Sequence, residues 1–416
     1  MNLYGKFLSA PKLRFSSTHV DTNPRRGLRY YGPYDLNFLE MDKVKCIVLS
    51  PSLSDGQTLI KGLMEGEGQF KGFEDLFKLP LECIGTTIYN SEKDFNYVLN
   101  EIVSKNPDIV YVVLNDRNQN IYSQIKLELL ANGIPSQMIT IKEIRKTHGR
   151  VYTLENLSLA TYAKIGGTPW TISTSNKSRL ILGISRTKDS QEQYLVGFVV
   201  SFTNDGDFLF MRSETPVVEW TEYIERLSKL IEEAIIEYKK GIGNENKRGS
   251  IDSIIIHLHK KPGKNEINAI EDGLKCAVQD IPYAIVHLNE YSNFRLFDSS
   301  HSSYIPCKGL YVTLSLHESL ILLDGRVNNE RNKVGMPRIL DVRIDKRSTL
   351  DVKNFSDIFK QVYDFSFINW RGFNAAAIPV TLNYSKLIAK MVGNLNTVEW
   401  NELIIKRKLR DKKWFL

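Results

Sequence analysis

Tyr122-Ser123-Gln124-Ile125-Lys126, then Gln137, then Tyr162-Ala163-Lys164-Ile165-Gly166-Gly167-Thr168-Pro169-Trp170 are the stretches on which this 416-residue chain turns. Apolar Ile121, Ile125 and Leu129 recur every four residues, which predicts a helix with one buried stripe. Asn118 or Asn120 can cap its start, and Gly133 follows its end. Tyr122 and Lys126 project from one face of that helix. Near a helix N-terminus, such a pair suits an anion joined to a flat base. Free amides and the helix dipole favour phosphate, the lysine neutralises it, and the ring stacks the base. By itself, though, a Tyr/Lys pair at this spacing is more often a solvated helix face.

Working outward, the composition is that of an ordinary globular protein, with 42% apolar and 25% charged residues. The length allows two or three domains with full cores. A net charge of +7 is a mild basic excess, compatible with nucleic acid without demonstrating it. Cys46, Cys83, Cys276 and Cys307 are widely spaced, with no Cys-x-x-Cys pair, and read as reduced thiols. No apolar run approaches the roughly 18 residues that span a bilayer. The first residues hold no apolar signal segment, so a cytoplasmic protein is expected.

Strands alternate with helices from about 38 to 165. Val44–Ser50 and Asp108–Asn115 are near-continuous β-branched runs, the mark of strands buried on both faces of a parallel sheet. Ligands are expected at the carboxyl ends of such strands, and Tyr122 opens the helix after one of them. After Thr168-Pro169-Trp170 come three strands joined in part by a hairpin turn at Thr203–Gly206, then a helix, then the strand Ile251–His259. That is the order of an RNase H fold. The fold class is therefore α/β, a Rossmann-like domain followed by an RNase H-like one.

The Tyr-x3-Lys pair, the Gln eleven residues later and the Ala-Lys-x-Gly-Gly-x-Pro-Trp string together resemble the MID domain of Argonaute proteins. The resemblance implies that Tyr122, Lys126, Gln137 and Lys164 hold the 5′ phosphate of a guide strand. It also implies a PIWI domain after it, and it extends to Phe367–Thr381 and to the Gly27…Gly32-Pro33-Tyr34-Asp35 string. Residues 1–37 are then expected as an N-terminal segment packed on the PIWI side, 38–167 as MID and 168–416 as PIWI. Trp414-Phe415-Leu416 resembles an Argonaute ending, which implies a structural Mg²⁺ at the phosphate, held by Gln137 and the Leu416 carboxylate. The basic segment Lys406–Lys413 reads by itself as a solvated helix face with an apolar tail, and Arg371 is an expected backbone contact.

The positions where PIWI domains carry metal-binding acids hold other residues here. Ser185 follows Gly183-Ile184, His259 ends the strand with His257, and Lys386 lies in Tyr384-Ser-Lys-Leu-Ile-Ala389. Hard divalent cations need anionic oxygens, so this set should not bind two Mg²⁺ ions or cleave. Asp189, Asp205, Asp207 and Glu214 could in principle substitute but read as turn and surface residues. His257 and His259 read as core or rim histidines without a third ligand, and Asp298 to Ser302 as loop. The resemblance as a whole implies a short prokaryotic Argonaute, catalytically inactive, favouring an RNA guide and a DNA target. It implies signalling to a separate effector subunit in defence against invading DNA. The competing readings are an active guided nuclease with a relocated metal site, and a scaffold that restrains a toxic effector.

Overall fold

The structure is a computed structural model that describes residues 4–16, 18–37, 39–89, 95–116, 119–174, 178–188, 195–214, 216–241, 251–278, 280–326, 336–393, 409 and 411–416. The chain forms two units. The first holds Leu13–Thr171, Trp370–Phe373 and the final described residues. The second holds residues 4–12, Ile172–Asn369 and 374–393.

Strand β1 (Tyr4–Phe7) belongs to the second unit. The first unit begins with a short hairpin, β2 (Leu13–Arg14) and β3 (Val20–Asp21). Helix α1 (Pro24–Tyr31) follows, capped by the Asn23 side chain, which accepts the Arg26 amide, with Pro24 at its first position. Next come β4 (Val44–Ser50), α2 (Leu53–Glu65), α3 (Phe73–Phe77), β5 (Leu81–Ile88) and α4 (Phe95–Ser104). Then follow β6 (Ile109–Leu114), α5 (Gln119–Ala131), β7 (Ser136–Thr140), α6 (Ile141–Ile144) and α7 (Arg150–Lys164). The strands form a parallel sheet in the order β5-β4-β6-β7. Every residue of β6 is buried, as its unbroken apolar run requires. On one face Ile47, Leu49, Val110 and Val112 pack with Leu99 and Ile102 of α4 and Ile125 and Leu129 of α5.

Short strand β8 (Thr171–Ile172) leads into the second unit. There β9 (Arg179–Lys188), β10 (Leu195–Thr203) and β11 (Phe208–Ser213) run antiparallel. Helix α8 (Trp220–Lys240) precedes β12 (Ser253–Leu258), which pairs parallel with β9. Helix α9 (Lys264–Ala277) leads to β13 (Tyr283–Asn289), parallel to β12. Then come β14 (Leu310–Ser315), β15 (Glu318–Ile321), β16 (Leu340–Ile344), α10 (Phe355–Asp364) and α11 (Val380–Val392). The nine-stranded sheet is ordered β1-β14-β15-β16-β13-β12-β9-β10-β11. Leu180, Leu182, Ile184, Ile254, Ile256 and Leu258 face a core built with α8 and α9. Strand alternation turns Gly183 and His257 to the opposite face, where both meet Thr381 of α11. The expected order of three antiparallel strands, a helix and a parallel strand is present.

The expected domain boundaries differ from the observed units at both ends. Residues 13–37 cluster with the first unit and only the stretch up to Lys12 with the second. The reason is chemical: the half-buried Asp35 carboxylate, in the first unit, accepts from Tyr162 Oη at 2.7 Å and the Thr168 amide at 2.8 Å. The last described residues, expected in the second domain, also cluster with the first. Lys406–Lys408 and Arg410 lie outside the described residues. Among the described residues no helix is long and apolar enough to cross a membrane.

His257 is 2% exposed, and its Nδ1 lies 2.9 Å from Thr381 Oγ1. Burial lowers its pKa to about 3. The unfolded chain therefore takes up the proton first as pH falls below about 6.5, and the fold loses stability on the way down. Between pH 6.5 and 5 this residue alone should remove about 1.6 kcal/mol. Urea unfolding at both pH values should show a smaller loss in His257→Gln; equal losses would refute a buried neutral imidazole.

Candidate nucleic-acid interface

Helix α5 leaves the carboxyl end of β6 and places Tyr122 and Lys126 one turn apart. Gly133 closes it at φ +75°, its amide donating to Leu130 O, as its place after the helix predicts. Asn118, and the side chain of Asn120, lie outside the described residues. Ile125 and Leu129 are fully buried and Ile121 partly, which fixes the helix face. Lys126 is not solvated: it is 2% exposed, and its Nζ donates to Tyr122 Oη at 3.1 Å.

Lys164 ends α7, also 2% exposed. Its Nζ donates to Ser136 O and to Gln137 Oε1, both at 2.7 Å. Burial pushes its pKa well below the lysine norm, and the charges of Lys126 and Arg371 push it further the same way. No carboxylate is among the groups that shift it. The four expected residues thus form two bonded pairs, Tyr122 with Lys126 and Gln137 with Lys164, linked by repulsion between their lysines. Buried cations are normally paired. The two buried lysines, Lys126 and Lys164, repel one another, and an anion beside them would relieve that repulsion.

Two site residues were not placed here by the sequence. Arg371, read as a backbone contact, joins the field at Lys164 from 207 positions away in the chain. Lys413 donates to Gly166 O at 3.1 Å and Gly167 O at 2.9 Å, and its Nζ stands 4.9 Å from the Trp370 ring centroid. Neither has a sequence signal beyond the basic or aromatic residues around it. The Gly-Gly landmark has a steric basis: a Cβ on Gly167 would sit 2.3 Å from the Tyr162 ring. That ring stacks on Phe77 at 4.4 Å and bonds Asp35. Gly166 takes φ +117°, which favours glycine.

Leu416 is buried in the same unit, behind buried Trp414 and Phe415, and its amide donates to Lys413 O. The expected Mg²⁺ fits this donor set poorly. Gln137 Oε1 already accepts from an ammonium, and the neighbouring side chains are cations. Among the described residues no cluster of three or more His, Cys, Asp or Glu could hold a metal. The arrangement suits an anion better than a cation.

In the second unit Ser185 is 6% exposed on β9. On the next strand Leu258 pairs with Ile184, so His259 follows beside Ser185 at the carboxyl end. His259 Nε2 stands 3.6 Å from Glu290 Oε1, and Lys386 of α11 pairs with the same oxygen. His259 first, then Lys386, hold the Glu290 carboxyl down at about 2. At this corner Glu290 is therefore held by the Lys386 ammonium and the His259 imidazole. Asp205 and Asp207 sit beyond Thr203, which pairs with Leu180, whereas Ser185 pairs with Phe198. Five strand positions put those acids about 17 Å away. Glu214 follows β11, and burial raises its pKa. Asp189 lies outside the described residues. Asp298 bonds Ser300 and Arg326, and His301 bonds Ser303, as loop groups do.

A Piwi domain model matches residues 109–397 of the chain. The chain belongs to the Piwi family. It is 26% identical over 413 residues to a Piwi protein of Archaeoglobus fulgidus, covering 94% of this chain and 93% of that one. It is 24% identical to a Protein argonaute of Cereibacter sphaeroides, of which it spans 56%. The fold is similar to A. aeolicus Argonaute, with TM-score 0.68, 19% identity, 95% of this chain and 54% of that chain. A second structure of that Argonaute, with externally bound siRNA, gives a TM-score of 0.69 at 18% identity over 100% of this chain and 56% of that one. Drosophila Piwi gives 0.72 at 14% identity, again over 99% and 56%. This Piwi chain thus spans about half the length of those solved structures and nearly all of the A. fulgidus protein.

Proposed function

We propose that this Piwi-family protein is a short, prokaryotic-type Argonaute that binds a guide strand by its 5′ phosphate and recognises a complementary target without cleaving it. The observation that carries the reading is the buried Lys164, bonded to Gln137 and surrounded by Lys126 and Arg371 with no acid among its shifting charges. A terminal phosphate would supply a charge for the lysines, and Tyr122 would stack the first base. Base pairing then reads the sequence while the protein reads backbone and shape. Lys386 and His259 on Glu290 support the non-cleaving mode. A protein that finds a target without cutting it needs a second component to act, which favours a separate effector in cytoplasmic defence against invading DNA. RNA as guide and DNA as target belong to the same proposal. Any Mg²⁺ would enter with the phosphate, whose oxygens provide the hard anionic ligands that the side chains lack.

The direct test is to purify the protein from its host, extract bound nucleic acid and label its ends. Short strands with uniform 5′ phosphates are expected. An empty preparation that also ignores 5′-phosphorylated oligonucleotides would move the reading to a scaffold. A second expectation is thermodynamic. Lys164 holds its proton weakly in the free protein, and a phosphate beside it restores that hold, so binding takes up a proton. Calorimetry in buffers of different ionisation enthalpy should show uptake of up to about one proton per guide, absent in Lys164→Met. An uptake that survives that substitution would assign the proton to another group.

A further inference from the structure

Cys46 and Cys83 are direct partners in the parallel pairing of β4 and β5, and the register shifts by one residue immediately after them. Paired positions on neighbouring parallel strands point to the same face, with Cα atoms about 4.8 Å apart. That separation lies within the range that a disulfide spans. Cys46 is buried and Cys83 partly exposed, on the edge strand β5 of its sheet. Edge position and the adjoining bulge let β5 shift toward β4 without disturbing β6 or β7. We infer that Cys46 and Cys83 form a redox-modification site, a dithiol that hydroperoxides convert to a cross-strand disulfide.

The two sulfurs are unequal in a way that assigns their roles. The Cys46 thiol beside it, as the largest cause, lowers the Cys83 pKa to about 6. The same partnership and its burial push the Cys46 thiol upward. Cys83 is therefore the attacking thiolate and Cys46 the resolving thiol. Cys83 sulfur attacks a peroxide oxygen, the O–O bond breaks, and the departing hydroxide leaves as water after taking a proton; Cys83 becomes a sulfenic acid. Cys46 sulfur then attacks Cys83 sulfur, the S–S bond forms and the S–O bond breaks. The leaving hydroxide takes the Cys46 proton as a second water. Two electrons pass from the sulfurs to one peroxide. The other two cysteines, Cys276 exposed and Cys307 partly buried, lie in the second unit.

The test treats the full-length protein with hydrogen peroxide, then unfolds and alkylates it and reads intact mass and peptide maps. Two of the four thiols should disappear with a loss of about 2 Da, return with dithiothreitol, and map to a Cys46–Cys83 crosslink. Between pH 7 and 8 the oxidation rate should stay within about twofold, whereas an ordinary thiol gains nearly tenfold. In Cys46→Ser the product should be a dimedone-reactive sulfenic acid on Cys83. Four alkylatable thiols after peroxide, or oxidation confined to Cys276 or Cys307, overturns the site. So does a wild-type product with Cys83 oxidised and Cys46 still free. The wild-type map decides the matter even where a variant fails to fold.

Discussion

Lys126→Ala should weaken guides carrying a 5′ phosphate by about 1.5–3 kcal/mol, roughly 10- to 150-fold, the range for hydrogen bonds to charged groups. Guides ending in a 5′ hydroxyl should change by less than about twofold, because the lysine then has no charge to meet. The geometry sharpens this expectation. Lys126 is buried and bonded to Tyr122 Oη, so its loss also frees the ring expected to stack the first base. Tyr122→Phe separates the two contributions: it keeps the stacking surface and removes the hydroxyl partner. Fluorescence anisotropy with paired 5′-phosphate and 5′-hydroxyl oligonucleotides provides the measurement. Equal losses for both ends would sink the phosphate assignment while leaving the fold untouched.

Lys413→Met should destabilise the first unit by about 3 kcal/mol. The substitution keeps the apolar stem and removes the ammonium that bonds Gly166 O and Gly167 O, leaving one buried and one part-buried carbonyl without their charged donor. Burial lowers the Lys413 pKa to about 8, so the group is still largely charged at neutral pH. It also faces the half-buried Asp35 electrostatically, and removing the ammonium takes away that favourable charge. Guanidinium unfolding followed by tryptophan fluorescence would report the loss. Because Gly166 lies two residues after Lys164, 5′-phosphate affinity should fall as well. A change below about 1 kcal/mol would mean that water replaces the ammonium at those carbonyls.

Much of the fold was legible because its signals are local. The β-branched runs at Val44–Ser50 and Ile109–Leu114 are buried parallel strands, and the four-residue apolar spacing at Ile125 and Leu129 is a helix face. The spacing shared with a family singled out Tyr122, Lys126, Gln137 and Lys164, which the fold joins as two bonded pairs. Their burial was not, since a lysine at a helical surface position reads as solvated and only packing reveals otherwise. Asp35 shows the other limit. Its partner Tyr162 lies 127 residues away, so a turn-forming Gly-Pro-Tyr-Asp string gave no sign that it anchors the Gly-Gly segment. Glu290 was silent for the same reason, an ordinary acid after a strand until His259 and Lys386 are brought to it.

Lys413 closes contacts to glycines that precede it by roughly 240 residues of chain. During synthesis at 5–20 residues per second, that stretch takes roughly 10–50 s to emerge. Throughout this interval the sheet of the first unit can form, but Gly166 and Gly167 wait for their donor and Lys164 for its neighbour Arg371. The contacts to Gly166 and Gly167 therefore close only after the strands of the second unit have been made.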